Sequence, residues 1–142
     1  MIKKIYFAGS IRGGRDDKEI YAQMIAYLNK YGTILTEHVA DQKLTSYWEN
    51  HRTDEWIYDR DVSWIKESDI VVAEVSTPSL GVGYEIAHAE YLNKKILCLY
   101  RKQEGKRLSA MIKGSKKIVV KEYEKIDDAI KQIDNFFEKE GK

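Results

Sequence analysis

Two carboxylates and a glycine-rich loop stand out in this sequence as residues whose types and surroundings could do chemistry. Glu85, together with Tyr84, opens a helix that follows the loop Ser76-Thr77-Pro78-Ser79-Leu80-Gly81-Val82-Gly83. Within a turn of a helix N-terminus, the helix dipole favours an ionised carboxylate. Asp61 lies in a helical stretch where Ile57, Asp61, Trp64 and Ile65 share a face, so it interrupts an apolar stripe. A carboxylate facing a core is costly unless it is paired or functional, and partial burial lifts its pKa toward that of a general acid. One ionised and one protonated carboxyl group are the equipment for glycoside cleavage. Plainer readings stand beside this one. Glu85 could be an ordinary first-turn glutamate, and Asp61 could bond a nearby Tyr or Arg or sit exposed at the edge of its stripe.

The loop Gly9-Ser10-Ile11-Arg12-Gly13-Gly14 supplies a different chemistry. Gly9, Gly13 and Gly14 let the backbone turn and approach a ligand, and the helix that follows offers free N–H groups and a positive dipole end. Arg12 and Arg15 add charge and Ser10 adds a hydroxyl, which together suit a phosphate. The loop is neither the dinucleotide fingerprint G-x-G-x-x-G nor a Walker loop, since no Gly-Lys-Ser/Thr follows. Its plainer reading is a tight turn with Asp16 capping the helix.

These residues must be positioned by alternating strands and helices. Lys4–Ala8 reads as a strand, Asp17 to Lys30 as a helix ended by Gly32, and Thr33–Thr36 as a short second strand. Glu37 to Asn50 has weak periodicity and reads as a loop with a helical turn. A helix returns from Thr53 to Glu67, then a strand over Asp69–Val75, a helix over Tyr84–Asn93 and a strand over Lys95–Tyr100. The last elements are a strand over Lys117–Val120 and a helix with Ile126, Ala129, Ile130, Ile133 and Phe137 on one face. This order predicts one domain over residues 1–142: a doubly wound, Rossmann-like or flavodoxin-like α/β fold. Its five-stranded parallel sheet carries helices on both faces. Ligands in such folds bind at the carboxyl ends of the strands, where the two unusual loops fall.

Composition narrows the partners. The 142 residues carry 24 Lys and Arg against 23 Asp and Glu, a net charge of +1, so no surface of nucleic-acid scale is expected. The lone Cys98 sits in the apolar run Ile96–Leu99 and reads as a buried small hydrophobe. No disulfide can form within one chain, no apolar run reaches membrane-spanning length, and Met1-Ile2-Lys3-Lys4 leads straight into a strand. The expected location is the cytoplasm. His38, His51 and His88 lack close ligand spacing, so neither a metal nor another cofactor is expected; His38 is a candidate to line a base pocket.

Several stretches, in order, resemble the 2′-deoxynucleoside 5′-phosphate N-hydrolases of the nucleoside 2-deoxyribosyltransferase superfamily. They are Tyr6 to Arg15, Thr36-Glu37-His38-Val39, Val72-Ala73-Glu74-Val75, Pro78 to Glu85 and Leu108-Ser109-Ala110-Met111-Ile112. The likeness runs from about Ile5 to Gly114 and is poor over Ala40 to Arg52. It implies that Glu85 attacks C1′ of the sugar, that Asp61 assists departure of the base, and that Tyr6 stands beside the deoxyribose and Glu85. It implies a 5′-phosphate held by Ser10, Ile11, Arg12 and Gly13 with Ser79 and Gly81, and Gly9 joins them as a substrate-binding candidate. It also implies Ser109 reaching that phosphate from the neighbouring subunit of a homodimer with shared active sites. The substrate expected on this resemblance is a small deoxynucleotide. A deoxyribosyltransferase of the same superfamily and a non-catalytic nucleotide sensor are the alternative readings.

Overall fold

Side-chain alternation along the first strand decides which chemistry meets which helix. A computed structural model describes residues 2–11, 15–37 and 51–140. Its elements in chain order are β1 (Lys3–Ala8), α1 (Arg15–Leu28), β2 (Gly32–Ile34), α2 (Asp54–Glu67), β3 (Ile70–Glu74), α3 (Leu80–Tyr91), β4 (Lys95–Arg101), α4 (Ala110–Lys113), β5 (Ile118–Tyr123) and α5 (Ile126–Glu140). All five strands pair in parallel, in the order β2-β1-β3-β4-β5. Successive strand side chains point to opposite faces. Ile5 and Phe7 therefore enter the core shared with α1 and α5, while Tyr6 and Ala8 enter the core shared with α2 and α3. Every residue of β3 is buried, as expected for a strand covered on both sides.

The expected doubly wound fold is the one observed. From β1 the chain moves outward to β2, and from β3 it moves the other way to β4 and β5. The reversal lies between β1 and β3, which run side by side with Tyr6 opposite Val71 and Ala8 opposite Ala73. A crevice opens at the carboxyl ends of such a strand pair. The β1–α1 and β3–α3 loops flank that crevice.

Several boundaries differ from the sequence reading, each for a local reason. Helix α3 starts at Leu80 rather than Tyr84, because the Ser79 hydroxyl caps it by accepting from the Val82 N–H at 3.2 Å. A side-chain cap of this kind is worth about 1 kcal/mol. Helix α1 starts at Arg15, which puts Asp16 inside its first turn rather than at the cap. Strand β5 runs on to Tyr123, whose hydroxyl has a buried carboxylate to reach. The short helix α4, capped by Ser109, carries no periodicity long enough to be read in advance. Helix α2 fits its expectation closely, with Thr53 as its cap. Cys98 is fully buried, and burial pushes its thiol up to about 12. Of the loop expected over Glu37 to Asn50, residues 38–50 lie outside the described residues, and among those described no helix is long and apolar enough to cross a membrane.

Candidate active site

Tyr6, Asp61 and Glu85 are brought together at the crevice by three different elements. Tyr6 projects from β1 toward the α2 and α3 side and is 1% exposed. Its hydroxyl donates a hydrogen bond to Oε2 of Glu85 on α3. Burial, followed by the charges of Glu85 and Asp61, pushes the Tyr6 phenol far above its ordinary value. It therefore stays a neutral donor at any working pH. Glu85 is the sixth residue of α3, a turn deeper than the sequence reading placed it. The helix dipole acts mainly on the first turn, so the feature that marks Glu85 in the structure is its hydrogen bond from the Tyr6 phenol.

Asp61 lies on α2 one turn before the buried Ile65, and the two line a cleft of about 450 Å³ with Tyr58, Val62, Leu80, Gly81, Tyr84 and Glu85. Both carboxylates thus open into one cavity. The Asp61 carboxyl is raised above its ordinary value by burial, and the neighbouring Arg60 guanidinium opposes that rise. Arg60 donates to Oδ1 through Nε at 2.9 Å, and its Nη2 makes an ion-pair contact with the same oxygen at 2.9 Å. The plainer reading in which Asp61 bonds a nearby arginine is the one observed, and the same residue lines the cavity.

The start of the glycine-rich loop, Gly9 and Ser10, is fixed from below. The Ser10 N–H donates to the Tyr21 hydroxyl at 3.0 Å, and Ser10 is buried while Ile11 is exposed. A Cβ on Gly9 would stand 2.8 Å from the Tyr21 ring, so glycine is required there by close approach. Arg12, Gly13 and His38 lie outside the described residues. Gly81 lines the carboxylate cleft, where a side chain would find room.

Ser79 and Ser109 line a second, mostly apolar groove of about 620 Å³ with Leu80, Leu108, Met111 and Ile112. Ser109 caps α4 by accepting from the Met111 N–H at 3.2 Å. A hydroxyl that accepts a cap bond still has its own proton to donate. Leu80 borders both cavities and is 96% exposed. Within one chain, Ser109 shares its groove with Ser79 and not with Glu85.

The sequence reading passed over a buried polar network beneath these loops. Glu74, at the end of β3, accepts from the Ser76 N–H and hydroxyl at 2.7 Å each, and from the Tyr123 hydroxyl. The Arg101 N–H donates to the Ser76 hydroxyl, and the Arg101 guanidinium pairs with the buried Asp17 at 2.9 Å. Thr77 donates to the same aspartate. The network ties the β3–α3 loop to β4, β5 and the start of α1. Its signal was the lone acid in the apolar run Val71-Val72-Ala73-Glu74-Val75, since a charge is retained in such a run only when it is hydrogen-bonded. Tyr58 and Tyr84, whose rings meet edge to face at 6.1 Å on the lip of the cleft, were also missed.

Comparison with known proteins supports the fold and identifies relatives. A 5-hydroxymethyl-dUMP N-hydrolase of Tetraodon nigroviridis is 50% identical over 139 residues, 94% of this chain and 96% of that protein. One of Danio rerio is 54% identical over 111 residues, 78% of each chain. The solved structure of the Clostridium botulinum CMP N-glycosidase shares the fold at a TM-score of 0.68 and 20% identity, covering 93% of this chain and 99% of that one. The relatives define an enzyme of the N-glycosidase type. Within that type, the chain belongs to the nucleoside 2-deoxyribosyltransferase family, whose model matches residues 5–130. The resemblance drawn from the sequence motifs is borne out.

Proposed function

We propose that this enzyme hydrolyses the N-glycosidic bond of 2′-deoxynucleoside 5′-monophosphates to free base and 2-deoxyribose 5-phosphate. The observation that carries the reading is the pair of carboxylates, Asp61 and Glu85, opening into one cleft with a buried phenol bonded to Glu85. The relatives' names support the substrate class and make 5-hydroxymethyl-dUMP the first substrate to offer. Cleavage passes through an oxocarbenium-like transition state, which a 2-deoxy sugar reaches readily because no electron-withdrawing 2′-hydroxyl opposes it. Glu85 stabilises that cation and bonds to C1′, while protonated Asp61 gives its proton to the departing base. Water then attacks C1′ and loses a proton to Asp61, the ester bond breaks, and Glu85 regains its carboxylate. Tyr6 holds Glu85 in place throughout.

The phosphate is assigned to Gly9, Ser10, Ile11, Arg12 and Gly13 with Ser79 and Gly81, and His38 to the base side. Ser109 is assigned to the phosphate of a neighbouring subunit in a homodimer. The apolar groove bordered by Leu80 and Met111, 96% and 84% exposed, supports such a subunit contact. The expected site of action is the cytoplasm.

Incubating the protein with 5-hydroxymethyl-dUMP, its ribonucleotide counterpart and its 5′-dephosphorylated nucleoside tests this reading by chromatography of the free base. Base released from the deoxynucleotide alone supports it, and equal release from all three contradicts it. The family's description favours one second reading, transfer of the deoxyribosyl group to another base. Consumption of an added base, with a new nucleotide formed, would mark that activity.

A further inference from the structure

Residues adjacent on a helix do not face one another, so the contact between Arg60 and Asp61 is not a default of α2. The arginine stem must curl sideways to reach the next side chain, and something must hold it there. Trp56 and Trp64, four residues to either side, supply the hold. The Arg60 guanidinium carbon stands 5.2 Å from the centroid of the Trp56 ring and 5.1 Å from that of Trp64. A guanidinium over an indole face is attracted by the ring quadrupole, more strongly when water is excluded. The clamped side chain is only 12% exposed. Its hydrogen bond from Nε and its ion-pair contact from Nη2 both fall on Oδ1 of Asp61.

We propose that Arg60 is a positioning residue for the acid–base carboxylate: held between two indole rings, it grips Oδ1 of Asp61 and leaves Oδ2 to carry the proton. The proposal rests on the reading of Asp61 as the group that protonates the departing base. In the first step the Oδ2 proton passes to the base as the C1′–N bond breaks, its electron pair leaving with the base, and a Glu85 oxygen bonds to C1′. In the second, water bonds to C1′, its proton goes to Oδ2, and the ester electron pair returns to Glu85. A carboxyl free to rotate would offer either oxygen in either step; one fixed at Oδ1 offers the same oxygen in both.

The groups facing Asp61 set the direction of its titration. Arg60 and Tyr58 lie on its own helix, Tyr6 faces it from β1, and Glu85 and Tyr84 face it across the cleft from α3. Tyr6 is held neutral and Arg60 is the positive charge in contact with Asp61, so removing it leaves burial to act unopposed. The first step needs protonated Asp61, so activity falls as pH rises through its pKa. Losing Arg60 raises that pKa, and the alkaline limb of kcat/KM moves to higher pH.

The test is the pH profile of kcat/KM for the wild-type enzyme, Arg60→Gln and Arg60→Lys, paired with a carboxyl ¹³C NMR titration of Asp61 in each. Arg60→Gln is expected to move the alkaline limb and the Asp61 titration up by about one pH unit or more. Arg60→Lys, which keeps the charge but not the fork, should fall between. If Arg60→Gln does not fold, Trp56→Leu opens the outer side of the clamp and should shift both readings the same way by less. An even loss of kcat at every pH, with the Asp61 titration unmoved, would overturn the proposal. Failure of the wild type to release base from any deoxynucleotide would instead sink the reading of the site, while the NMR titration still reports on Arg60.

Discussion

The Tyr6 hydroxyl, buried on β1, donates its hydrogen bond to Oε2 of Glu85 on α3, and this bond joins the sheet to the helix that carries the carboxylate. A phenol held neutral by burial is a fixed dipole aimed at the carboxylate, and such groups act without reorganising during reaction. Replacing it by phenylalanine keeps the ring in its core and removes only the donor. Tyr6→Phe is expected to lower kcat by about 10²–10³-fold, the usual cost of one preorganised donor, with a smaller change in KM. Steady-state kinetics alongside circular dichroism checks this, and an unchanged kcat in a folded variant would remove Tyr6 from the mechanism.

Gly9 is fixed by a contact rather than by a positive φ. The Tyr21 ring that a Cβ would meet at 2.8 Å is itself 1% exposed and holds the Ser10 N–H, so it has no room to withdraw. Gly9→Ala should destabilise the fold by about 1–3 kcal/mol, as overpacking does, and weaken nucleotide binding by displacing the loop. Thermal unfolding with and without nucleotide measures both effects. An unchanged Tm would show that the loop adapts.

Ser109 caps a four-residue helix and lines an apolar groove with an exposed rim. In a shared active site, Ser109→Ala removes a hydrogen bond to a charged group, worth about 1.5–3 kcal/mol, which corresponds to a KM raised roughly 10–150-fold. That loss should appear with a deoxynucleoside monophosphate and be small with the nucleoside. Equal loss for both substrates would leave Ser109 as a helix cap alone.

Much of this arrangement was legible because its signals are local. The apolar run Ile70 to Val75 announced a strand covered on both faces, and the stripe of Ile57, Trp64 and Ile65 made Asp61 conspicuous. The pairing of Tyr6 with Glu85 was not legible from spacing. It depends on β1 lying beside β3 and on the side-chain alternation that turns Tyr6 toward α3, and it entered the sequence reading only through the family resemblance. Glu85 was read too close to its helix start because Ser79 was not recognised as the cap. The network of Glu74, Ser76, Tyr123, Arg101 and Asp17 was hidden because its members come from four segments that only the tertiary fold brings together. The Trp56, Arg60, Trp64 row was visible at a spacing of four, but its meaning needed the observation that Arg60 bends toward its neighbour.

The most direct measurement compares wild-type enzyme with Glu85→Ala on a deoxynucleoside 5′-monophosphate, following free base and 2-deoxyribose 5-phosphate while nucleotide binding is measured by calorimetry. The expected result is turnover by the wild type and, in the variant, retained binding with turnover lost. Turnover by Glu85→Ala at a rate near that of the wild type would contradict the account, because among the described residues Glu85 is the carboxylate that the Tyr6 phenol holds.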